Sequence, residues 1–228
     1  MLSDNKFKEV TNNMYIGWED YYNDYDYNDW AMKVYEKRRV NIWTNKVSDL
    51  EVKFVADTYE AGYVHDIHFA INLDKSIKYT WKMTFYDDSD TELSSKASSE
   101  SVYGNFDQII FDTADFKFSH NLDPYYTLVT LEFEDDIAPK FLGKAPYNTY
   151  MYVRNTMKYI TGSTTRPTTK YEARYSSPSL SGKYVPMMLV INDPTFEPPI
   201  DGQRIWTMYE NFDDWVIKGY PADDKWWS

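Results

Sequence analysis

Residues 50–56 read Leu-Glu-Val-Lys-Phe-Val-Ala and decide the fold class of this chain. Apolar side chains recur there at every second residue, which is the period of a β-strand with one buried face. Similar patterns predict further strands over residues 65–73, 79–85, 128–133, 148–153 and 186–191. Many short strands at this spacing favour a mainly β fold, an antiparallel sandwich or jelly-roll-like domain.

The apolar pattern changes period near the C-terminus, where it recurs at helical spacing through Ile205, Met208, Tyr209, Phe212, Trp215 and Val216. Asp201 can serve as the N-cap, and Gly219 and Pro221 can end the helix. The pattern predicts one amphipathic C-terminal α-helix packed on a sheet, with Phe212 and Trp215 buried.

Two polar stretches, residues 87–101 and 162–182, are predicted to be long surface loops. The first is acidic and rich in serine, and the second is rich in Ser, Thr and Pro. Neither has the composition of an interdomain linker, so one domain is expected over residues 1–228.

Composition excludes several classes of site. The chain has no Cys, which rules out disulfides and thiolate zinc sites. Its 36 acidic and 24 basic residues give a net charge of −12, which opposes nucleic-acid binding and suits cations or basic partners. The 22 tyrosines indicate tyrosine-faced sheets, with a sugar-stacking or subunit-contact surface as the sharper interpretation.

Residues 17–30 form the densest group of acidic and aromatic side chains. Asp24, Asp26 and Asn28 alternate as the first three oxygen ligands of an EF-hand loop do. The segment is not an EF-hand, because Asp29 stands where that loop needs glycine and Tyr35 where it needs the closing glutamate. We expect a calcium site with the ligands Glu19, Asp20, Asp24, Asp26, Asn28 and Asp29.

The alternative for this segment is an acidic turn whose side chains bond to local backbone amides. His65 and His68 are not expected to share a metal, because residues three apart in a strand face opposite sides.

No enzymatic activity is expected. The chain has no G-x-S-x-G elbow, no H-E-x-x-H helix and no glycine-rich phosphate loop. Its many carboxylates leave a hydrolase with two acids as the alternative.

Two blocks carry a family resemblance. The first comprises residues 17–20, GWED, and residues 24–30, DYDYNDW. The second comprises residues 185–191, VPMMLVI, followed by FEPP at 196–199 and DKWW at 224–227. In this order they resemble the LruC-type domain family, whose members usually follow a signal peptide. The resemblance implies an all-β domain that binds a cation through the first block, and it implies no activity.

We expect a non-catalytic structural protein of a multi-copy assembly, stabilised by calcium. It would be a virion or surface component, such as a minor capsid, decoration or fibre-like protein, with other protein subunits as partners. The alternative is a calcium-dependent carbohydrate-binding or adhesion module, with glycans as partners.

Residues 1–10 contain no apolar run typical of a secretory signal, and no apolar run is long enough for membrane insertion. A virion or cytoplasmic assembly is therefore the favoured location. An extracellular or cell-envelope location is expected if a leader was removed.

Overall fold

The computed structural model describes residues 6–20, 25–114, 124–161, 174–176, 184–200, 202–219 and 225–227. Strands dominate this part of the chain, and every strand pairing is antiparallel. The strands are β1 Phe7–Trp18, β2 Trp30–Asn41, β3 Val47–Thr58, β4 His65–Ile71, β5 Lys78–Tyr86, β6 Glu92–Ala97, β7 Val102–Tyr103, β8 Phe106–Asp112, β9 Tyr126–Ile137, β10 Tyr150–Val153, β11 Lys158–Thr161, β12 Arg174–Ser176, β13 Tyr184–Pro186 and β14 Met188–Ile191. Three short helices accompany them: α1 Pro139–Leu142, α2 Ile205–Met208 and α3 Phe212–Ile217.

Most of the strands form a large and a small sheet that face each other, and β12 and β13 pair as a separate two-stranded sheet. The large sheet has eight strands in the order β14-β1-β2-β3-β9-β5-β6, with β7 beside β5, and the small one has the order β11-β10-β4-β8. The predicted alternation on β3 is confirmed, because Leu50, Val52, Phe54 and Ala56 are all buried. Phe54 packs on Phe69 of the small sheet with ring centroids 4.9 Å apart. The expected antiparallel, mainly β fold is therefore confirmed.

A second core lies on the opposite face of the large sheet. Tyr15 and Ile191 from that sheet belong to one buried cluster with residues of the two C-terminal helices and with Trp226. Phe212 is fully buried in this core and meets Trp226 at a centroid distance of 4.9 Å. The C-terminal segment thus covers one end of the large sheet.

The prediction of a single C-terminal helix is wrong, because this segment forms two short helices, α2 and α3. Tyr209 has an extended backbone, with φ −121° and ψ 90°, and this residue ends α2. The aromatic side chains keep their helical spacing across the break, which is why the periodicity did not reveal it. Trp215 is only half-buried, not buried as predicted, and Asp201 and Pro221 lie outside the described residues.

The predicted loop over residues 87–101 is wrong in its centre, where β6 pairs with β5. β6 is the last strand at one edge of the large sheet, and every one of its residues is exposed. Its sequence therefore has no apolar alternation from which a strand could be predicted. Of the predicted loop 162–182, only residues 174–176 are described, and they form β12. No helix in the described ranges is long and apolar enough to cross a membrane.

Candidate metal site

The acidic segment connects two neighbouring strands. β1 and β2 pair residue by residue up to Trp18 opposite Trp30, and both tryptophans are fully buried. Glu19 and Asp29 each follow one step beyond this last pair, so the closed end of the hairpin brings them together. The connection also folds back over β1, where a Cβ on Gly17 would lie only 2.7 Å from the backbone oxygen of Tyr27.

Three carboxylates converge at this point: Glu19, Asp20 and Asp29. Each offers an oxygen within 4.8 Å of the other two. Glu19 is fully buried, the side chain of Asp20 is only 4% exposed, and Asp29 is half-buried. Like charges this close repel each other strongly in a partly desolvated site, so a bound cation would stabilise the cluster.

Backbone amides orient these acids. The amide of Asp20 donates to Asp29 Oδ2 over 2.5 Å. Glu19 Oε2 accepts from the amides of Asp26 and Tyr27 over 3.2 Å and 3.4 Å. The carboxylates are therefore held in fixed directions by the loop that carries them.

His65 joins the cluster from the small sheet. Its Nε2 lies 2.7 Å from Asp20 Oδ2, and its side chain is fully buried. Its own amide donates to Thr113 Oγ1 over 2.6 Å, which fixes the start of β4. A neutral His65 with its proton on Nε2 would donate to Asp20 and orient that carboxylate toward a metal.

Tyr59 lies beside the same acids. Burial raises the pKa of Tyr59, and the charges of Asp20 and Asp29 raise it further. The cluster therefore lies between the large sheet, which supplies the acids, and β4 of the small sheet, which supplies His65.

The predicted ligand set divides in the structure, which brings together Glu19, Asp20 and Asp29 but gives Asp26 other hydrogen-bond partners. Asp26 is outside the three-acid cluster: its Oδ2 accepts from the amide of Gly202 over 2.8 Å, and its Oδ1 from that of Asn28 over 3.4 Å. Asn28 Nδ2 donates to Glu60 Oε2 and to the backbone oxygen of Pro199, over 3.2 Å and 3.3 Å. Asp24 lies outside the described residues.

The cause of the division is backbone conformation. Tyr25 and Tyr27 have φ angles of 62° and 59°, in the left-handed region that non-glycine residues rarely adopt. Alternate residues share one side only in an extended chain, so these reversals break the alternation of Asp26 and Asn28 that the sequence pattern implied. For Asp26 the acidic-turn interpretation applies, and it ties the loop to the C-terminal segment.

The chain matches one protein family. The family described as a domain of unknown function, DUF4842, matches residues 45–227. The chain belongs to this family. The match begins after the acidic segment, so in this DUF4842 protein the carboxylates precede the matched region and His65 lies within it. No curated protein sequence matches the chain.

The fold also occurs in a solved structure. The crystal structure of a candidate lipoprotein from Bacteroides ovatus aligns with a TM-score of 0.64 at 13% sequence identity. The alignment covers 98% of this chain and 74% of that one. At this identity the likeness establishes a shared fold for this DUF4842 protein, and nothing about its site.

The geometry of the cluster suits a hard cation. Ca²⁺ binds oxygens at about 2.3–2.6 Å, so two ligands on opposite sides lie about 4.6–5.2 Å apart. The three acids offer oxygens within 4.8 Å of one another, which is compatible with that separation.

Proposed function

We propose that this protein is a non-catalytic structural component of a multi-copy assembly, stabilised by Ca²⁺ bound through Glu19, Asp20 and Asp29. The observation that carries the proposal is the convergence of these three carboxylates beside His65. The likeness of residues 17–30 to the LruC-type pattern supports the same assignment.

A cation at this place would strengthen the contact between the sheets. It would neutralise the closed end of the β1–β2 hairpin while Asp20 remains bonded to β4 through His65. The metal would therefore link the acidic loop to the small sheet, and its effect should appear as a gain in global stability.

The assembly part of the proposal rests on exposed apolar side chains. Trp43, at the turn between β2 and β3, is 79% exposed, and its neighbour Ile42 is also exposed. Exposed tryptophans are common anchors of protein interfaces. The fold shared with a candidate lipoprotein favours a surface component of the cell envelope over the alternative of a virion component.

Calcium titration calorimetry tests the metal site. The wild-type chain should bind Ca²⁺ at millimolar concentration or below, and Asp20→Asn should abolish the heat because it removes a ligand charge. Asp88→Asn, an exposed acid in another part of the fold, is the matched control and should bind as wild type does. Binding that survives Asp20→Asn would contradict the assignment.

A second candidate function is glycan binding by the outer face of the small sheet. Tyr159 lies between Tyr152 and Tyr150, with centroid distances of 4.6 Å and 5.7 Å, and His68 stacks on Tyr150 at 4.4 Å. Rows of half-exposed rings offer apolar faces to sugar rings, with Asp107 beside them, bonded to His68, as a hydroxyl acceptor.

Calcium dependence of this binding would follow from strand pairing. Tyr152 pairs with Asp66, the residue after His65, so the ring row and the acidic cluster share β4. A glycan array probed with and without chelator tests the candidate. Tyr152→Ala should lose binding, whereas Tyr103→Ala, an exposed tyrosine of the other sheet, should retain it.

A further inference from the structure

A cavity of about 330 Å³ lies far from the acidic cluster. It is lined by Val10 and Asn12 of β1, Glu36 and Arg38 of β2, Lys144 and Ala145 after α1, and Asn192 after β14. Glu36 lies about 20 Å along β2 from Trp30, where the acidic cluster begins. The volume of the cavity is at the lower end of the range for small-molecule sites.

Glu36 is the chemical centre of this cavity. The residue is only 2% exposed, and its Oε1 accepts hydrogen bonds from Tyr147 and from Arg38 Nε. Burial and then the charge of Glu36 raise the pKa of Tyr147 well above its ordinary value, so its hydroxyl stays protonated and donates. The second oxygen, Oε2, is buried and has no hydrogen-bond partner in the described part of the chain.

A buried carboxylate oxygen without a partner needs a hydrogen-bond donor. The other polar groups of the wall are donors themselves: Arg38, Lys144 and the amides of Asn12 and Asn192. A simple anion would meet the charge of Glu36, and a simple cation would meet Arg38 and Lys144. A hydroxyl group satisfies both sides, because it donates to Glu36 and accepts from the cationic and amide groups.

We propose that this cavity binds one residue of a neutral glycan, with its hydroxyls between Glu36 and the Arg38, Lys144 and asparagine donors. Val10 and Ala145 supply apolar surface for the C–H groups of the sugar ring. The site is separate from the tyrosine row and from the acidic cluster, so it requires neither calcium nor the proposed structural role.

Saturation-transfer NMR on the full chain tests the proposal, with glucose, galactose, mannose and N-acetylglucosamine as probes. At least one should bind saturably with a dissociation constant of about 1 mM, a common strength for a few hydrogen bonds. The constant should be the same in calcium and in chelator, and Tyr152→Ala should leave it unchanged. Those two results separate this site from the proposed metal site and from the tyrosine row.

Substitutions of asparagines that line the cavity can be compared with a matched control. Asn12 and Asn13 are exposed neighbours on β1 whose side chains point to opposite faces of the sheet. Asn12→Ala and Asn192→Ala should each weaken binding about tenfold, whereas Asn13→Ala should not. Glu36→Gln should abolish binding. If that variant fails to fold, the comparison of Asn12→Ala and Asn192→Ala with Asn13→Ala tests the proposal by itself.

Three results would overturn the proposal. They are saturation by none of the four sugars, equal binding by Asn12→Ala and Asn13→Ala, and preferential binding of inorganic phosphate in a manner that depends on Lys144.

Discussion

Replacement of Asp29 by Asn should remove the effect of calcium on thermal stability. The substitution keeps the shape of the side chain and an oxygen that can accept the Asp20 amide, but it removes one of three converging charges. Calcium at one hundred times its dissociation constant would stabilise the wild-type protein by about 2.7 kcal/mol, provided that it binds only the folded state. For a domain of this size each kcal/mol shifts the melting temperature by about 2–4 °C, which gives about 5–10 °C.

Differential scanning calorimetry in calcium and in chelator measures this shift. Asp29→Asn should show almost none, and its melting temperature in chelator should equal or slightly exceed that of wild type, because charge repulsion is relieved. Asp26→Asn is the informative control. Asp26 bonds to Gly202 outside the cluster, so this variant should lose stability in both buffers yet keep the calcium shift.

Magnesium should substitute poorly for calcium, because it needs shorter bonds and releases its waters reluctantly. An equal calcium shift in wild type and Asp29→Asn, or no shift at millimolar calcium, would refute the assignment of the cluster as a metal site.

Three further predictions concern the rest of the fold. Phe212→Ala should destabilise the protein by about 3–5 kcal/mol in urea denaturation, whereas Trp215→Ala should cost clearly less because its ring is half-buried. Trp43→Ser should leave the melting temperature unchanged but reduce the mass of any assembly measured by light scattering; equal masses would remove Trp43 from the interface. Hydrogen bonds from Thr195 lower the pKa of Asp193, so this contact stabilises the fold above about pH 4 and its contribution is lost as the pH falls through the lowered pKa. Thr195→Val should return the pKa of Asp193 toward its ordinary value in an NMR titration.

The strands with one buried face could be predicted from sequence, because burial leaves a period of two. β3 and β9 are such strands, and alternate residues of both are buried. β1 was not predicted because residues 8–13 are exposed on both faces, so only its second half is buried. β6 was not predicted for the same reason, because all its residues are exposed. An edge strand of this kind is held by backbone hydrogen bonds, which almost any sequence can make.

The acidic site was predictable in part. Glu19, Asp20 and Asp29 were among the expected ligands, and the structure brings them together. Tyr25 and Tyr27, on either side of Asp26, are left-handed, and local spacing carries no sign of such backbone reversals. His65 is 45 residues from Asp20 in the chain, so only the packing of the sheets unites them. Its one signal was its place on the apolar face of β4, where a buried imidazole needs a polar partner.

The position of the acids at the closed end of the β1–β2 hairpin has a consequence for folding kinetics. Contacts nearest a hairpin turn close the shortest loops and therefore cost the least chain entropy to form. If the hairpin closes from that end, Glu19 and Asp29 meet before the longer-range pairs between the sheets are made. Their mutual repulsion then opposes the first step rather than the last, and calcium should speed refolding more than it slows unfolding.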